Sequence, residues 1–228
     1  MKTSNILMTT LLGSMLLFIL ISATDMRLFG VHKSDRHTLY DSKTKDLPDF
    51  SVLAIENMRG VHIIPSGENR IKLFHWNEDV YSSLYYDLKG DTLFILKSPL
   101  QKFTGYEIHV DSSFNSLISN NSLFILSGFY SGNIKVSMDN SELNNFSPES
   151  SSQSHFEKLE ITATNNSAIY YNTSVADTVD IQLSGSRAQF FQSTTTITAV
   201  LENSELTIPR NFSGFQLEKD SLSRVIAR

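Results

Sequence analysis

Histidine spacing is the first test of whether this sequence holds a metal or a catalytic base. The chain has six histidines and no cysteine. The histidines show neither HExxH spacing nor another recognised ligand pattern, and the lack of cysteine excludes disulfides and thiolate-bound zinc. Three of the histidines alternate with apolar residues, so we expect them on the solvent face of strands: His62, His75 and His109. We predict no metal site and no cofactor.

Paired carboxylates are the second possibility, because enzymes that cleave polysaccharides use two of them. Asp139 and Glu142 flank one polar turn, and Glu202 and Glu205 hold the same two positions in another. The turns between them carry no acid at these positions, so the pairs are expected to lie too far apart to cooperate. Ser184-Gly185-Ser186 lacks the glycine pattern of a nucleophile elbow. We predict solvated turn residues and no catalytic residue.

Aromatic side chains are the best candidates for contact with a ligand. Exposed aromatics on a β surface suit carbohydrate or protein contact, although aromatic residues at strand ends are also ordinary core material. The predicted ligand contacts are Trp76, Tyr81, Tyr85 and Tyr130.

A short phrase repeats through the second half of the chain and indicates what positions these groups. Three alternating apolar residues are followed by a polar turn centred on Asn or Gly and then by another apolar residue. The turn markers fall 20, 25, 20, 18 and 18 residues apart, and they are Asn120, Asn140, Asn165, Gly185, Asn203 and Ser221. A strand and turn that cannot bury an apolar face alone must stack on its neighbours. The sequence therefore predicts an all-β, solenoid-like (β-helix) fold with coils of about 20 residues, clearest over residues 114–228.

The repeat also predicts side-chain register. Ile181 should lie between Ile161 and Ala199 of the adjacent coils, and Ile118 should point inward in a degenerate first repeat. Asn suits the corners because it tolerates the left-handed backbone conformation, and stacked Asn and Ser side chains are expected to form ladders between coils. An antiparallel sandwich is the competing architecture, but turn markers that recur in phase favour the solenoid.

Upstream of the repeats, the sequence alternates with a period of two from Asp49 onward. Lys89-Gly90-Asp91 predicts a tight hairpin turn. A helix is possible over residues 77–88, where Val80, Leu84 and Leu88 are four apart. The Ser-rich residues 145–153 are expected to protrude as a loop.

The N-terminus predicts export. Residues 6–23 are largely apolar, long for a signal-peptide core and just long enough to span a bilayer. We assign residues 1–24 to a signal peptide or a transmembrane anchor, both of which fit, and residues 25–48 to a linker. The net charge of −5, with no run of Lys or Arg, argues against a nucleic-acid partner.

Residues 49–228 resemble a known family. The motifs are Asp49-Phe50-Ser51-x-Leu53-x-Ile55, Val61-x-Ile63, Leu93-x-Ile95 and the Ser-Gly pairs at 127–128, 131–132 and 184–185. This pattern resembles the auto-transporter adhesin head, or GIN, domain of Bacteroidetes-type envelope proteins. The resemblance implies an all-β, solenoid-like domain at the cell envelope and supplies no catalytic residues. We therefore expect a non-enzymatic binding, adhesion or structural module whose partner is an envelope glycan or protein. A lyase or hydrolase acting on polysaccharide is the alternative.

Overall fold

The computed structural model describes residues 41–75, 85–96, 103–130, 132–145, 154–171, 175–191, 196–210 and 212–228. The predicted signal or anchor segment and residues 146–153 of the predicted loop lie outside these ranges. Across the ranges that are described, no helix has the length and apolar character needed to span a membrane.

The described residues form nineteen β-strands. The first seven are β1 (Asp41–Asp46), β2 (Val52–Glu56), β3 (Arg59–Pro65), β4 (Arg70–His75), β5 (Tyr85–Lys89), β6 (Thr92–Leu96) and β7 (Phe103–Val110). The next six are β8 (Ser116–Asn120), β9 (Leu123–Leu126), β10 (Asn133–Asp139), β11 (Glu142–Asn145), β12 (His155–Thr164) and β13 (Ala168–Tyr171). The last six are β14 (Val175–Ser184), β15 (Arg187–Phe190), β16 (Thr196–Glu202), β17 (Glu205–Ile208), β18 (Gly214–Lys219) and β19 (Arg224–Ala227).

The strands build two sheets that face each other across a common core. One sheet has the order β1-β4-β7-β3-β9-β11-β13-β15-β17-β19, and the other β18-β16-β14-β12-β10-β8-β2-β6-β5. From β8 onward, each coil places one strand in the second sheet, turns a tight corner and places a shorter strand in the first. Strands one coil apart pair in parallel. This arrangement is consistent with the predicted β-solenoid, whereas an antiparallel sandwich would pair consecutive strands.

Register between coils agrees with the repeat. Ile181 pairs with Ile161 on one side and Ala199 on the other, and all three are buried. The prediction for the first coil is wrong by one residue: Leu117 and Ser119 point inward, while Ile118 is 45% exposed. Since side chains alternate between the faces of a strand, a slip of one position exchanges the two faces completely.

The corners depend on residues that accept a positive φ. Asn140, Asn165, Asn203 and Gly185 have φ between 46° and 58°, as expected for corner residues. In the first coil this conformation belongs to Asn121 and not to the predicted Asn120, which explains the shifted register. Ser221, the last predicted marker, is not among the described residues with positive φ.

A ladder of buried serines follows the Asn corners. Ser141 illustrates its chemistry: the hydroxyl donates to the Asp139 carbonyl at 2.8 Å and accepts the Ser122 backbone N–H at 3.1 Å. Equivalent hydroxyls link neighbouring coils at Ser122, Ser167, Ser204 and Ser223. Amides of Asn57, Asn121 and Asn140 form a second, exposed ladder beside it. The predicted Asn and Ser ladders are both present.

Aromatic rings fill the opposite end of the coils. Phe156 stacks on Phe129 with ring centroids 5.7 Å apart and contacts Tyr171 at 6.5 Å. The series extends to Phe114 on one side and Phe190 on the other. These rings belong to one continuous hydrophobic core.

Antiparallel strands occupy the N-terminal end of the stack. β5 and β6 form the predicted hairpin around Gly90, and β4 pairs antiparallel with both β1 and β7. The helix predicted over 77–88 is wrong at 85–88, which belong to β5, because pairing with β6 outweighs the weak four-residue spacing. Residues 41–46, inside the range assigned to the linker, form β1.

The C-terminal end is closed by polar groups. At earlier corners the serine carbonyl accepts the N–H of the next coil, as when Arg224 donates to Ser204 at 2.9 Å. At the last corner the Lys219 ammonium lies 3.3 Å from the Ser223 carbonyl instead. Lys219 occupies the register position that Leu201 fills in the preceding coil. An inward-facing charge of this kind disfavours further strand addition.

Candidate functional site

Tyr130 is the one predicted ligand contact whose side chain is described, and it is 69% exposed. Its backbone forms a parallel bridge with His155, and the adjacent Phe129 is fixed in the aromatic series. The fold therefore buries one ring and presents the next to solvent. Tyr85 lies in β5. Trp76 and Tyr81 lie outside the described residues.

A cleft of about 450 Å³ adjoins Tyr130. Its lining is mixed, with the two aromatic residues Phe114 and Phe129 beneath polar groups that include Ser66, Asp111, Asn115 and Asn133. An exposed ring beside hydrogen-bonding groups is the composition of a surface that recognises sugars or polar peptides.

Asp111 is the acid of this cleft, and its surroundings hold it ionised. The Ser113 hydroxyl and the Asn69 amide both donate to its carboxylate. Hydrogen bonding from Ser113 lowers the pKa of Asp111, although partial burial opposes the shift. A glycosidase needs a general acid with a raised pKa, so Asp111 is suited to accepting hydrogen bonds and not to donating a proton.

The Asn–Ser corners form a second concave feature, which we call the corner groove. Two depressions meet at Asn166 and Arg187, which line both of them. One rim consists of corner residues such as Asn140 and Asn203, and the serine ladder lies along the floor. The opposite rim consists of the first residues of the short strands.

That opposite rim carries charges of both signs. In register order along the stack it contains Arg59, Leu123, Glu142, Ala168, Arg187, Glu205 and Arg224. Six strand spacings separate its ends, a length of about 29 Å. Within the described part of the chain, no carboxylate lies within ion-pair distance of the three arginines on this rim.

The two predicted acid pairs do not come together. Three strand spacings separate Glu142 from Glu205, which is about 14 Å. The carboxyl groups of an inverting glycosidase lie roughly 6.5–9.5 Å apart. The pairs belong instead to the corner groove and its margin.

Histidines gather on the outer face of the N-terminal coils. His62 on β3 lies beside Glu107 of β7, and its Nε2 forms a short hydrogen bond with the Ser127 hydroxyl. His109 Nε2 lies 3.9 Å from the Glu107 carboxylate, and Lys72 Nζ lies 3.6 Å from it. Both imidazoles are on the outer face as predicted, although they are half-buried. Among the residues that the structure describes, no group of three or more His, Asp or Glu could hold a metal ion.

This cluster predicts a dependence of stability on pH. Burial lowers the pKa of His62 below its ordinary value of 6.5, with Glu107 opposing and His109 reinforcing the shift, and burial also lowers the pKa of His109. The folded chain then binds fewer protons than the unfolded chain, so the unfolding free energy should fall as pH drops through 6.5. We expect urea unfolding at pH 7.5 and 5.5 to show this loss, and His62→Gln to reduce it. An unchanged pH dependence in His62→Gln would contradict the assignment.

The corner groove was missed by the search for chemistry in the sequence. Its charged rim alternates in sign and is interrupted by Leu123 and Ala168, so no charge run or motif marks it. In register the repeats place Glu142, Arg187, Glu205 and Arg224 in one column, each directly after a ladder serine, but the change of sign from coil to coil is also what solvated turn residues show.

Comparison with known proteins finds this fold in solved structures. The chain is similar to the solved structure of a candidate adhesin from Bacteroides fragilis NCTC 9343, with 10% identity and a TM-score of 0.56, over 83% of this chain and 97% of that chain. It is also similar to a candidate adhesin from Parabacteroides distasonis ATCC 8503, with 11% identity and a TM-score of 0.52, over 83% of this chain and 94% of that chain. No family model and no curated protein sequence matches the chain. At these identities the likeness shows a shared fold.

Proposed function

We propose that this chain is a non-enzymatic binding or adhesion module of the cell envelope, of the GIN type that its sequence resembles. The observation that carries the proposal is the display of Tyr130. The ring is 69% exposed beside a polar cleft, while its neighbour Phe129 anchors the same loop in the core. A rigid scaffold that presents an aromatic ring suits recognition, because little side-chain freedom is lost on binding.

Two further observations support a binding role. One is the likeness in fold to solved structures of candidate adhesins. The other concerns the acids discussed above: Asp111 of the cleft has a lowered pKa, and Glu142 is far from Glu205. The proposal includes export, with residues 1–24 acting as a signal peptide or membrane anchor and an envelope glycan or protein as the partner.

Tyr130→Ala tests the proposal on a glycan and envelope-protein array. We expect the parent chain to bind at least one immobilised ligand and Tyr130→Ala to lose about tenfold or more, since aromatic anchors at the centre of an interface cost about 2 kcal/mol or more when truncated. Phe191→Ala is the matched control: its ring is 44% exposed but does not line the cleft. It should bind like the parent.

The same array distinguishes the enzymatic alternative. Release of reducing sugar, or of unsaturated products, from a bound polysaccharide would contradict the non-enzymatic proposal. Equal loss of binding in Tyr130→Ala and Phe191→Ala would contradict the assignment of the binding site to the cleft beside Tyr130.

A further inference from the structure

We infer that the corner groove is a second binding site, distinct from the Tyr130 cleft, and that its ligand is a linear acidic glycan. This inference goes beyond the proposed function, because the groove lies at the Asn–Ser corners and shares no lining residue with the Tyr130 cleft.

Groove shape selects a linear polymer. The two depressions share Asn166 and Arg187 as lining residues and together follow the stacking direction from Arg59 to Arg224. The side chains along the groove repeat once per coil, at about 4.8 Å. A straight site of about 29 Å, built from one repeated unit, matches a chain of repeated units better than it matches a compact metabolite.

Charge on the rim selects an anion. Arg187 and Arg224 are both exposed and lie two coils apart. Glu205 lies between them in register, yet no ion pair joins it to either guanidinium. The Arg187 guanidinium lies over the Tyr170 ring, 5.6 Å from its centroid, a contact that leaves its N–H donors without an ion-pair partner. A guanidinium without an ion pair offers a planar fork of donors that matches a carboxylate in bidentate geometry.

The acids on the same rim restrict the anion to one of low charge density. Glu142 and Glu205 would repel a polymer such as nucleic acid, which carries a charge every 1.7 Å or so along its axis. A glycan with scattered carboxylates and many hydroxyls reduces that repulsion, because glutamate carboxylates accept hydrogen bonds from hydroxyls, and Asn amides both accept from hydroxyls and donate to them. Leu222, 69% exposed at one end of the groove, adds an apolar contact for the face of a sugar ring.

Binding of oligouronates tests the inference directly. We expect an oligogalacturonate of about ten residues, a length that exceeds the groove, to bind the parent chain by isothermal titration calorimetry. A neutral glucan oligomer of equal length should bind at least about tenfold more weakly, as expected when a charge-assisted hydrogen bond is lost.

The paired variant Arg187→Gln with Arg224→Gln should lose about tenfold or more of the oligouronate affinity. Arg210→Gln, carried as the control, removes one positive charge from an exposed arginine that does not line the groove, and it should bind like the parent. Thermal melts of all variants should coincide, because these side chains are exposed.

Four results would overturn the inference. They are no binding of the oligouronate, equal binding of the neutral oligomer, equal loss in Arg210→Gln, and loss in Tyr130→Ala with none in the paired arginine variant. The last result would move the ligand to the Tyr130 cleft and leave the proposed function standing.

Discussion

Ile181→Asp is expected to unfold the solenoid. Ile181 is 1% exposed and lies between Ile161 and Ala199 in the middle of the stack. Losing its burial removes roughly 1.5–3 kcal/mol, and an unpaired buried carboxylate adds several kcal/mol more. The sum approaches the roughly 5–15 kcal/mol that holds a typical domain together. Far-UV circular dichroism should show no cooperative melt in this variant.

Val200→Asp is the matched control for that experiment. Val200 lies on β16, the strand that also contributes Ala199, but it points outward and is 41% exposed. An exposed substitution of this kind should change the unfolding free energy by about 0.5 kcal/mol or less. Parent-like melting of Ile181→Asp would contradict the stacked-coil architecture, and unfolding of Val200→Asp would contradict the assigned faces of the strand.

Asn203→Ala measures how much a corner residue, as opposed to a core residue, contributes to stability. Asn203 has a φ of 46° and is exposed, so its contribution is conformational. Placing alanine in the left-handed region costs about 1 kcal/mol. Asn203→Gly should recover that loss, because glycine accepts the same backbone conformation without strain.

The sequence predicts the coils well wherever apolar residues occupy every inward position. Ile161, Ile181 and Ala199 are aligned by period alone, because only one register buries all of them. The first coil departs from this pattern because one inward position is polar. Ser119 is 1% exposed at an inward position and forms a 3.0 Å hydrogen bond with the Ser141 hydroxyl. In the sequence, a serine whose hydroxyl is hydrogen-bonded inside the core looks the same as a serine on the outer face. The spacing of apolar residues therefore assigns the inward position to Ile118.

The aromatic series is hidden from the sequence for a different reason. Its rings come from the starts of strands in one sheet, as Phe156 does, and from the ends of strands in the other, as Tyr171 and Phe190 do. Loops of unequal length lie between them, so the rings share no period. The same reasoning applies to binding surfaces: Tyr130 could be proposed from its type, whereas the corner groove depends on register between coils.

Phe156→Ala is expected to give the second large effect. Phe156 is fully buried and contacts one ring on each side, Phe129 and Tyr171. Truncating a buried phenylalanine costs about 3–5 kcal/mol, because the cavity that remains collapses only partly. Urea denaturation should show this loss in the unfolding free energy. The m-value should not change, since a change in it would mean that the compactness of the unfolded state had changed.

Phe190→Ala tests whether the rings act as a series. Phe190 is equally buried, at 1% exposure, but its one described ring contact is with Tyr171. Each aromatic contact contributes about 0.5–1.5 kcal/mol beyond burial, so Phe190→Ala should be less destabilising than Phe156→Ala by about that amount. Equal losses would mean that burial alone explains both positions. A larger loss at Phe190 would contradict a stack whose interior rings depend on neighbours from both sides, which is the arrangement that holds the Tyr130 loop in place.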